Sequence, residues 1–285
     1  MHIRAAASRA TSLLAKNPLL FWRVAVAKVA SSRRMPPLPV RKAIGDIQFE
    51  YDLEDYRGTA PMYFGSYALL VVEAIHRFLR PGGIFFDVGA NIGYLSAIAA
   101  NRVGPLGQVH SFEPVPRYFA RLQSLASRNP SFTIVPNCCA AGESAGKSRI
   151  LITCEPGQNT MVPGYKSGAE VTGTEEVRTI RLDSYIEGKG LGDISMIKID
   201  AEGFELPILR GLERYFRSTP HRPVILCEIA PRAYPLLGAR PHDLRDFMTR
   251  FGYSAFDLID SATAVDITAL RAVDDVLFLP CRLRP

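Results

Sequence analysis

Short apolar runs alternate along this chain with segments whose apolar residues recur every three to four positions. The sharpest run is Ile84 to Val88, a β-branched and aromatic stretch bounded by glycines, which predicts a strand buried on both faces. Behind it Leu95, Ile98 and Ala99 share one helical face. Further strands are predicted over Gln108 to Glu113, Phe132 to Pro136, Asp193 to Ile199, Pro223 to Cys227, Tyr253 to Leu258 and Val276 to Leu279. Helices are predicted over Tyr67 to Leu79, over Pro116 to Arg128 with Phe119, Leu122 and Leu125 inward, from Glu205 onward, and over Asp243 to Phe251. Strands alternating with helices predict an α/β fold, a mostly parallel seven-stranded sheet with helices on both faces. Ile44 to Leu53 suits a small hairpin leading into it. Arg149 to Thr153 and Glu176 to Leu182 are two β-like runs around a loop rich in glycine and threonine, Glu155 to Thr174. A loop that long is expected to lie over the mouth of the sheet and help bind an acceptor.

The N-terminus has a different pattern. Residues 1–45 hold nine Lys or Arg and no acid, so the formal charge of +6 belongs to this arm; the remaining 240 residues carry 25 basic and 28 acidic groups. The body is therefore not a basic nucleic-acid surface. Basic and apolar positions alternate through residues 1–35, with Phe21 and Trp22 among the apolar ones, and Arg23 and Lys28 interrupt the apolar stretch before it can span a bilayer. An amphipathic helix on an anionic membrane is one reading; a docked helix and an organellar targeting segment are the others. Residues 1–40 thus read as an arm with a Pro-rich linker, Met35 to Pro39, and residues 41–285 as the main domain. The expected location is the cytoplasm, with peripheral membrane contact through residues 1–35 as an option. The five cysteines are odd in number and without metal-type spacing, which fits reduced thiols.

The candidate chemistry starts after the first strand, at Asp87-Val-Gly89-Ala-Asn91-Ile-Gly93. The glycines let the backbone turn sharply and approach a ligand, and the following helix offers its free N–H groups. A dinucleotide fingerprint needs G-x-G-x-x-G; here an acid ends the strand and only two glycines follow. An acid beside one helix N-terminus suits the ammonium, sulfonium and carboxylate of S-adenosylmethionine. Glu113, ending the second strand, is placed to accept hydrogen bonds from ribose hydroxyls, and Asn137, after the third, to hold an adenine edge. Taken alone, the Asp87 motif is also compatible with an ordinary turn.

Asp87-Val-Gly-Ala-Asn-Ile-Gly-Tyr, Phe-Glu113-Pro and Ile197-Lys-Ile-Asp200-Ala-Glu202-Gly-Phe-Glu205 together resemble the FkbM-type S-adenosylmethionine-dependent methyltransferases, over about Gly65 to Leu279. The resemblance implies the Rossmann-like fold of class I methyltransferases, and methyl transfer to a hydroxyl oxygen, often of a sugar or polyketide-like natural product. One departure is Ala68, which follows Tyr67 where members often carry an acid; the helix there receives no substrate role.

The acceptor is expected to be a small molecule, glycan or lipid-linked compound. An attacking alcohol must lose a proton, and a carboxylate at the strand tip can take it. Asp200 and Glu202 are the candidates, Asp200 as base and Glu202 holding a neighbouring hydroxyl. With Glu228 they also make an oxygen set for a divalent metal, ranked below metal-free catalysis. The rivals are a nucleic-acid methyltransferase, which lacks an amine-type motif here, an NAD-dependent oxidoreductase, which fails on glycine spacing, and a non-catalytic, membrane-tethered binding protein.

Overall fold

A computed structural model describes residues 41–51, 62, 67–155, 157–165 and 169–283. The basic arm, its linker and the membrane reading attached to them lie outside the described residues. The chain opens with a hairpin of β1 (Arg41–Ile44) and β2 (Ile47–Glu50), whose inward Ile47 and Phe49 are buried. The first α/β segment then runs α1 (Leu69–Phe78), β3 (Ile84–Val88), α2 (Tyr94–Val103), β4 (Gln108–Phe112), α3 (Pro116–Arg128) and β5 (Thr133–Asn137). Next come β6 (Ala140–Ala141), β7 (Gly146–Thr153), β8 (Val171–Ile180) and α4 (Leu182–Lys189). The last segment runs β9 (Met196–Ile199), α5 (Glu205–Arg210), α6 (Glu213–Ser218), β10 (Val224–Ile229), α7 (Pro241–Arg250), β11 (Tyr253–Asp257) and β12 (Asp274–Pro280).

Seven strands form the expected mostly parallel sheet, in the order β11-β12-β10-β9-β3-β4-β5, with β12 antiparallel to both neighbours. Its strands alternate between two cores, as a sheet covered on both faces must. Phe85 and Met196 pack with Ile75 of α1, Leu95 and Ile98 of α2 and Leu125 of α3. Phe86 and Ile197 face the other way, onto Leu182, Leu209, Phe216 and Leu244 of α4 to α7. Helices therefore cover both faces, and the expected α/β architecture holds.

Three local expectations shift. On α3, Leu122 and Leu125 are buried as expected, but Tyr118 joins them in place of Phe119, which is half-buried. The helix from Glu205 breaks into α5 and α6 because the Gly211 carbonyl turns aside to accept the Asp183 N–H, at 3.0 Å. The two β-like runs lengthen and join β6 in a separate three-stranded sheet, order β6-β8-β7.

In the main sheet, register sets Asp87 of β3 opposite Ser111 of β4 on one side and Lys198 of β9 on the other. Three polar side chains thus share one row in an otherwise apolar layer. Just beyond it, β3 and β9 nearly touch. Gly89 has φ +78°, and a Cβ there would lie 1.8 Å from the Asp200 carbonyl oxygen. Gly89→Ala must therefore push the two strand ends apart, at a cost of about 3 kcal/mol or more. Gly82 has a similar φ but open space around it, so Gly82→Ala should cost about 1–2 kcal/mol. Urea denaturation of both variants checks this; equal losses would show that the contact with Asp200 is not limiting.

Candidate functional site

The carboxyl ends of β3, β4 and β9 open into one cavity of about 880 Å³, including solvent at its mouth. Asp87, Gly89, Asn91 and Glu113 border it on one side, and Asp200 and Glu202 on the other. The sequence-predicted residues from three distant segments are thereby brought together.

Asp87 is fully buried, and its Oδ2 accepts the Ser96 hydroxyl at 2.6 Å; Ser96 Oγ lies 2.8 Å from Ser111 Oγ. Its other oxygen faces Lys198 Nζ at 3.7 Å and has no hydrogen-bond partner among the described residues. Lys198 Nζ also lies 3.1 Å from Asp200 Oδ2 and donates to the Gly89 carbonyl at 3.3 Å. Burial by itself would depress the ammonium's pKa, but Asp200 and Asp87 outweigh it and the pKa is raised. Lys198 therefore remains charged and joins the glycine turn to the acid opposite. Sequence reasoning gave it no role. The available signal was a lysine inside a wholly apolar strand, Met196-Ile-Lys-Ile199, which demands a buried anion nearby.

The turn itself is built around Glu113. Its Oε2 accepts the Asn91 N–H and its Oε1 the Val115 N–H, both at 2.9 Å. Asn91 takes a left-handed φ of 50°, which exposes that N–H. Burial pushes the Glu113 carboxyl up to about 7, against the pull of these two donors. Gly93, read from the motif as a ligand-approach glycine, is outside the cavity lining. Its φ is +86°, and a Cβ there would meet Leu122 at 2.6 Å and Leu125 at 3.0 Å, so it lets α2 pack on α3. Asn137 stays outside the cavity lining; its amide nitrogen donates to the carbonyls of Ser111 at 3.2 Å and Val135 at 3.0 Å. The first bond ties β5 to β4, and the second stays within β5.

On the facing wall, Glu202 adopts a left-handed φ of 50°, rare for a side chain of its size. Two contacts hold it there. The Thr160 hydroxyl donates to the Glu202 carbonyl at 2.7 Å, and buried Glu205 accepts the Gly203 N–H at 2.7 Å. Burial, with Asp200 adding to it, pushes the Glu202 carboxyl up to about 7. An oxygen of each of Asp200, Glu202 and Glu228 lies within 4.8 Å of the other two. Burial and these two neighbours push Glu228 up to about 10, so it holds a proton at neutral pH. Three oxygens at this spacing suit a divalent cation, yet Lys198 already answers part of the Asp200 charge.

The insertion does lie over the mouth. Gly157, Asn159 and Met161 border the cavity, and Thr160 is the residue that grips Glu202. Tyr67, which received no role from the sequence, borders the cavity as well. Its ring meets Tyr94 edge-on, centroids 5.7 Å apart, and burial together with Asp200 pushes its phenol up to about 12.

Residues 87–255 match the model of the methyltransferase FkbM domain. Among curated proteins, the 31-O-demethyl-FK506 methyltransferase FkbM of Streptomyces tacrolimicus is 32% identical over 164 residues, 47% of this chain and 61% of that protein. The hexuronic acid methyltransferase AglP of Haloferax volcanii is 30% identical over 135 residues, 47% of this chain and 52% of that protein. The matched region thus spans about half to three fifths of these relatives. A solved structure, methyltransferase FkbM from Methylobacillus flagellatus, aligns at TM-score 0.42 and 17% identity over 91% of this chain and 60% of that one. With well over half of its residues inside the matched domain, this chain belongs to the FkbM family of S-adenosylmethionine-dependent methyltransferases.

Proposed function

We infer that the protein transfers a methyl group from S-adenosylmethionine to a hydroxyl oxygen of a sugar, glycolipid or related natural product. The observation that carries this reading is one cavity with a glycine turn and buried Glu113 on one wall and a cluster of carboxylates on the other. The donor set fits the cofactor. Glu113 keeps lone pairs beyond its two backbone bonds for ribose hydroxyls, and Asp87 has an oxygen without a hydrogen-bond partner on the same wall. When bound, S-adenosylmethionine supplies an electrophilic methyl group on a sulfonium.

The chain's own residues then have three tasks. The walls must hold the acceptor oxygen in line with the methyl, since orientation supplies much of the rate in such displacements. Asp200 and Glu202 must accept hydrogen bonds from acceptor hydroxyls. One carboxylate must take the proton released as the new C–O bond forms. The Lys198 contact alters the division of labour expected from the sequence. The Lys198 ammonium 3.1 Å away already occupies the Asp200 Oδ2, so Asp200 is suited to orienting the acceptor. Glu202, with its pKa pushed up to about 7, is suited to taking the proton.

The relatives' names include a hexuronic acid methyltransferase, and such an acid offers both a hydroxyl and a carboxylate. A carboxylate acceptor needs no base and would face Asp200 and Glu202 with like charge. The carboxylate wall therefore favours a hydroxyl. Incubating the protein with labelled S-adenosylmethionine and extracted glycans, lipids and metabolites tests the reading; label in a base-stable ether supports it, and label confined to base-labile esters overturns the hydroxyl assignment.

With an acceptor in hand, Glu202→Gln should lower turnover about 10²-fold or more, the usual scale for a positioned base. Wild-type turnover should fall as pH drops below about 7, where Glu202 takes up a proton, and the variant should lose that dependence. A variant that keeps wild-type rate at pH 8 would return the base to Asp200. Glu113→Ala should weaken S-adenosylmethionine binding by about 2–3 kcal/mol by calorimetry; unchanged affinity in a folded variant would discard the ribose assignment.

A further inference from the structure

The cavity's charge is lopsided. Asp87, Glu113, Asp200 and Glu202 all border it, and Lys198 is the cation among its described lining residues. That ammonium is already shared between Asp87 and Asp200. Two acids against one cation leave a negative remainder before Glu202 is counted. The buried Asp87 Oδ1 finds no hydrogen-bond donor among the described residues, so the anionic wall is incompletely answered from within the protein. Tyr67 and Tyr94 border the same space, and aromatic faces also favour cations.

S-adenosylmethionine and its demethylated product, S-adenosylhomocysteine, differ at one point: the first carries a sulfonium cation and the second a neutral thioether. The reacting sulfur must lie where its methyl can reach an oxygen held by Asp200 and Glu202. The charge that is lost in the reaction is therefore lost beside these carboxylates. We propose that the carboxylate wall reads the charge of the donor, holding the cationic cofactor in preference to the neutral product and so favouring product release. This rests on the reading of the cavity as an S-adenosylmethionine site, and it gives Asp200 and Glu202 a second task besides orienting the acceptor and taking its proton.

A unit charge about 5 Å from a carboxylate, at an effective dielectric constant of about 20, changes a binding constant by tenfold or more. In a water-filled site that effect is screened, so about tenfold is the expected preference. The extra methyl group can contribute on a similar scale, so the test must distinguish charge from bulk.

Isothermal titration of the full chain, in buffer containing a chelator, with S-adenosylmethionine, S-adenosylhomocysteine and sinefungin provides the test. Sinefungin carries a protonated amine at the methyl's position, on a carbon that replaces the sulfur, so it keeps the cation without a sulfonium, and removal of a facing carboxylate separates charge from bulk. Both cationic ligands should bind about tenfold more tightly than S-adenosylhomocysteine. In Glu202→Gln, titrated at pH 8 where the wild-type carboxyl is ionised, that gap should narrow to about threefold or less through loss of the cationic ligands' affinity. Circular dichroism melting confirms that the variant is folded. Equal affinity for all three ligands in the wild type, or tighter binding of S-adenosylhomocysteine, overturns the proposal while leaving the cofactor site intact. Failure of all three to bind a folded protein overturns the cofactor reading and this proposal with it.

Discussion

A lysine ammonium buried in the middle of an apolar sheet is the constraint on which the rest of this structure depends. Lys198 sits in a strand whose other residues are wholly apolar, and it is only 5% exposed. An isolated charge there would be strongly destabilising. It is tolerated because parallel register brings Asp87 directly opposite, and because the lysine is long enough to reach Asp200 and the Gly89 carbonyl beyond the strand ends. One side chain thus joins the turn that faces the cofactor to the acid that faces the acceptor. Such pairs are weak sources of net stability, since desolvation offsets most of the attraction. What this one supplies is position: it sets how far apart the two walls stand.

A second constraint acts through the backbone. The Gly89 turn approaches the Asp200 carbonyl more closely than any side chain permits. Glu202 is held left-handed by Thr160 on one side and by the Glu205–Gly203 contact on the other. The insertion between β7 and β8 therefore does more than cover the cavity. By gripping the Glu202 backbone it links the acceptor wall to a segment that also borders the cofactor turn, where Gly157 lies against Asn91. Strain of this kind persists only where the surroundings over-determine it.

Much of this was legible in the chain. The glycine-bounded run at Ile84–Val88 and the exact reach of Pro116–Arg128 follow from apolar period and from proline at a helix start. Glu113, Asp200 and Glu202 could be placed together because acids at the ends of parallel strands share one edge. What was not legible has a common cause: a motif lists residues without saying what they face. Gly93 matches a ligand-approach pattern but is required by Leu122 and Leu125 of the next helix. Asn137 stands one residue past the expected strand, still within β5, and spends its amide on neighbouring carbonyls. Lys198 was present in the most specific motif and went unread, because its partner lies 111 positions earlier and only sheet register reveals it. The left-handed conformation of Glu202 had no sequence signal at all, since it is imposed by a threonine 42 positions away.

The account stands on the coupling of Asp87 to Lys198, and a double-mutant cycle measures it directly. Asp87→Asn, Lys198→Met and the double variant would be compared with the wild type by urea denaturation. Lys198→Met leaves Asp87 buried without its counterpart and Asp87→Asn leaves Lys198 with Asp200 alone, whereas the double change removes both members of the pair. A coupling energy of about 2–3 kcal/mol, with the double variant far less damaged than the sum of the singles, is the predicted result. Losses that add to within about 0.5 kcal/mol would contradict it and would show that the lysine is held by the acceptor wall alone.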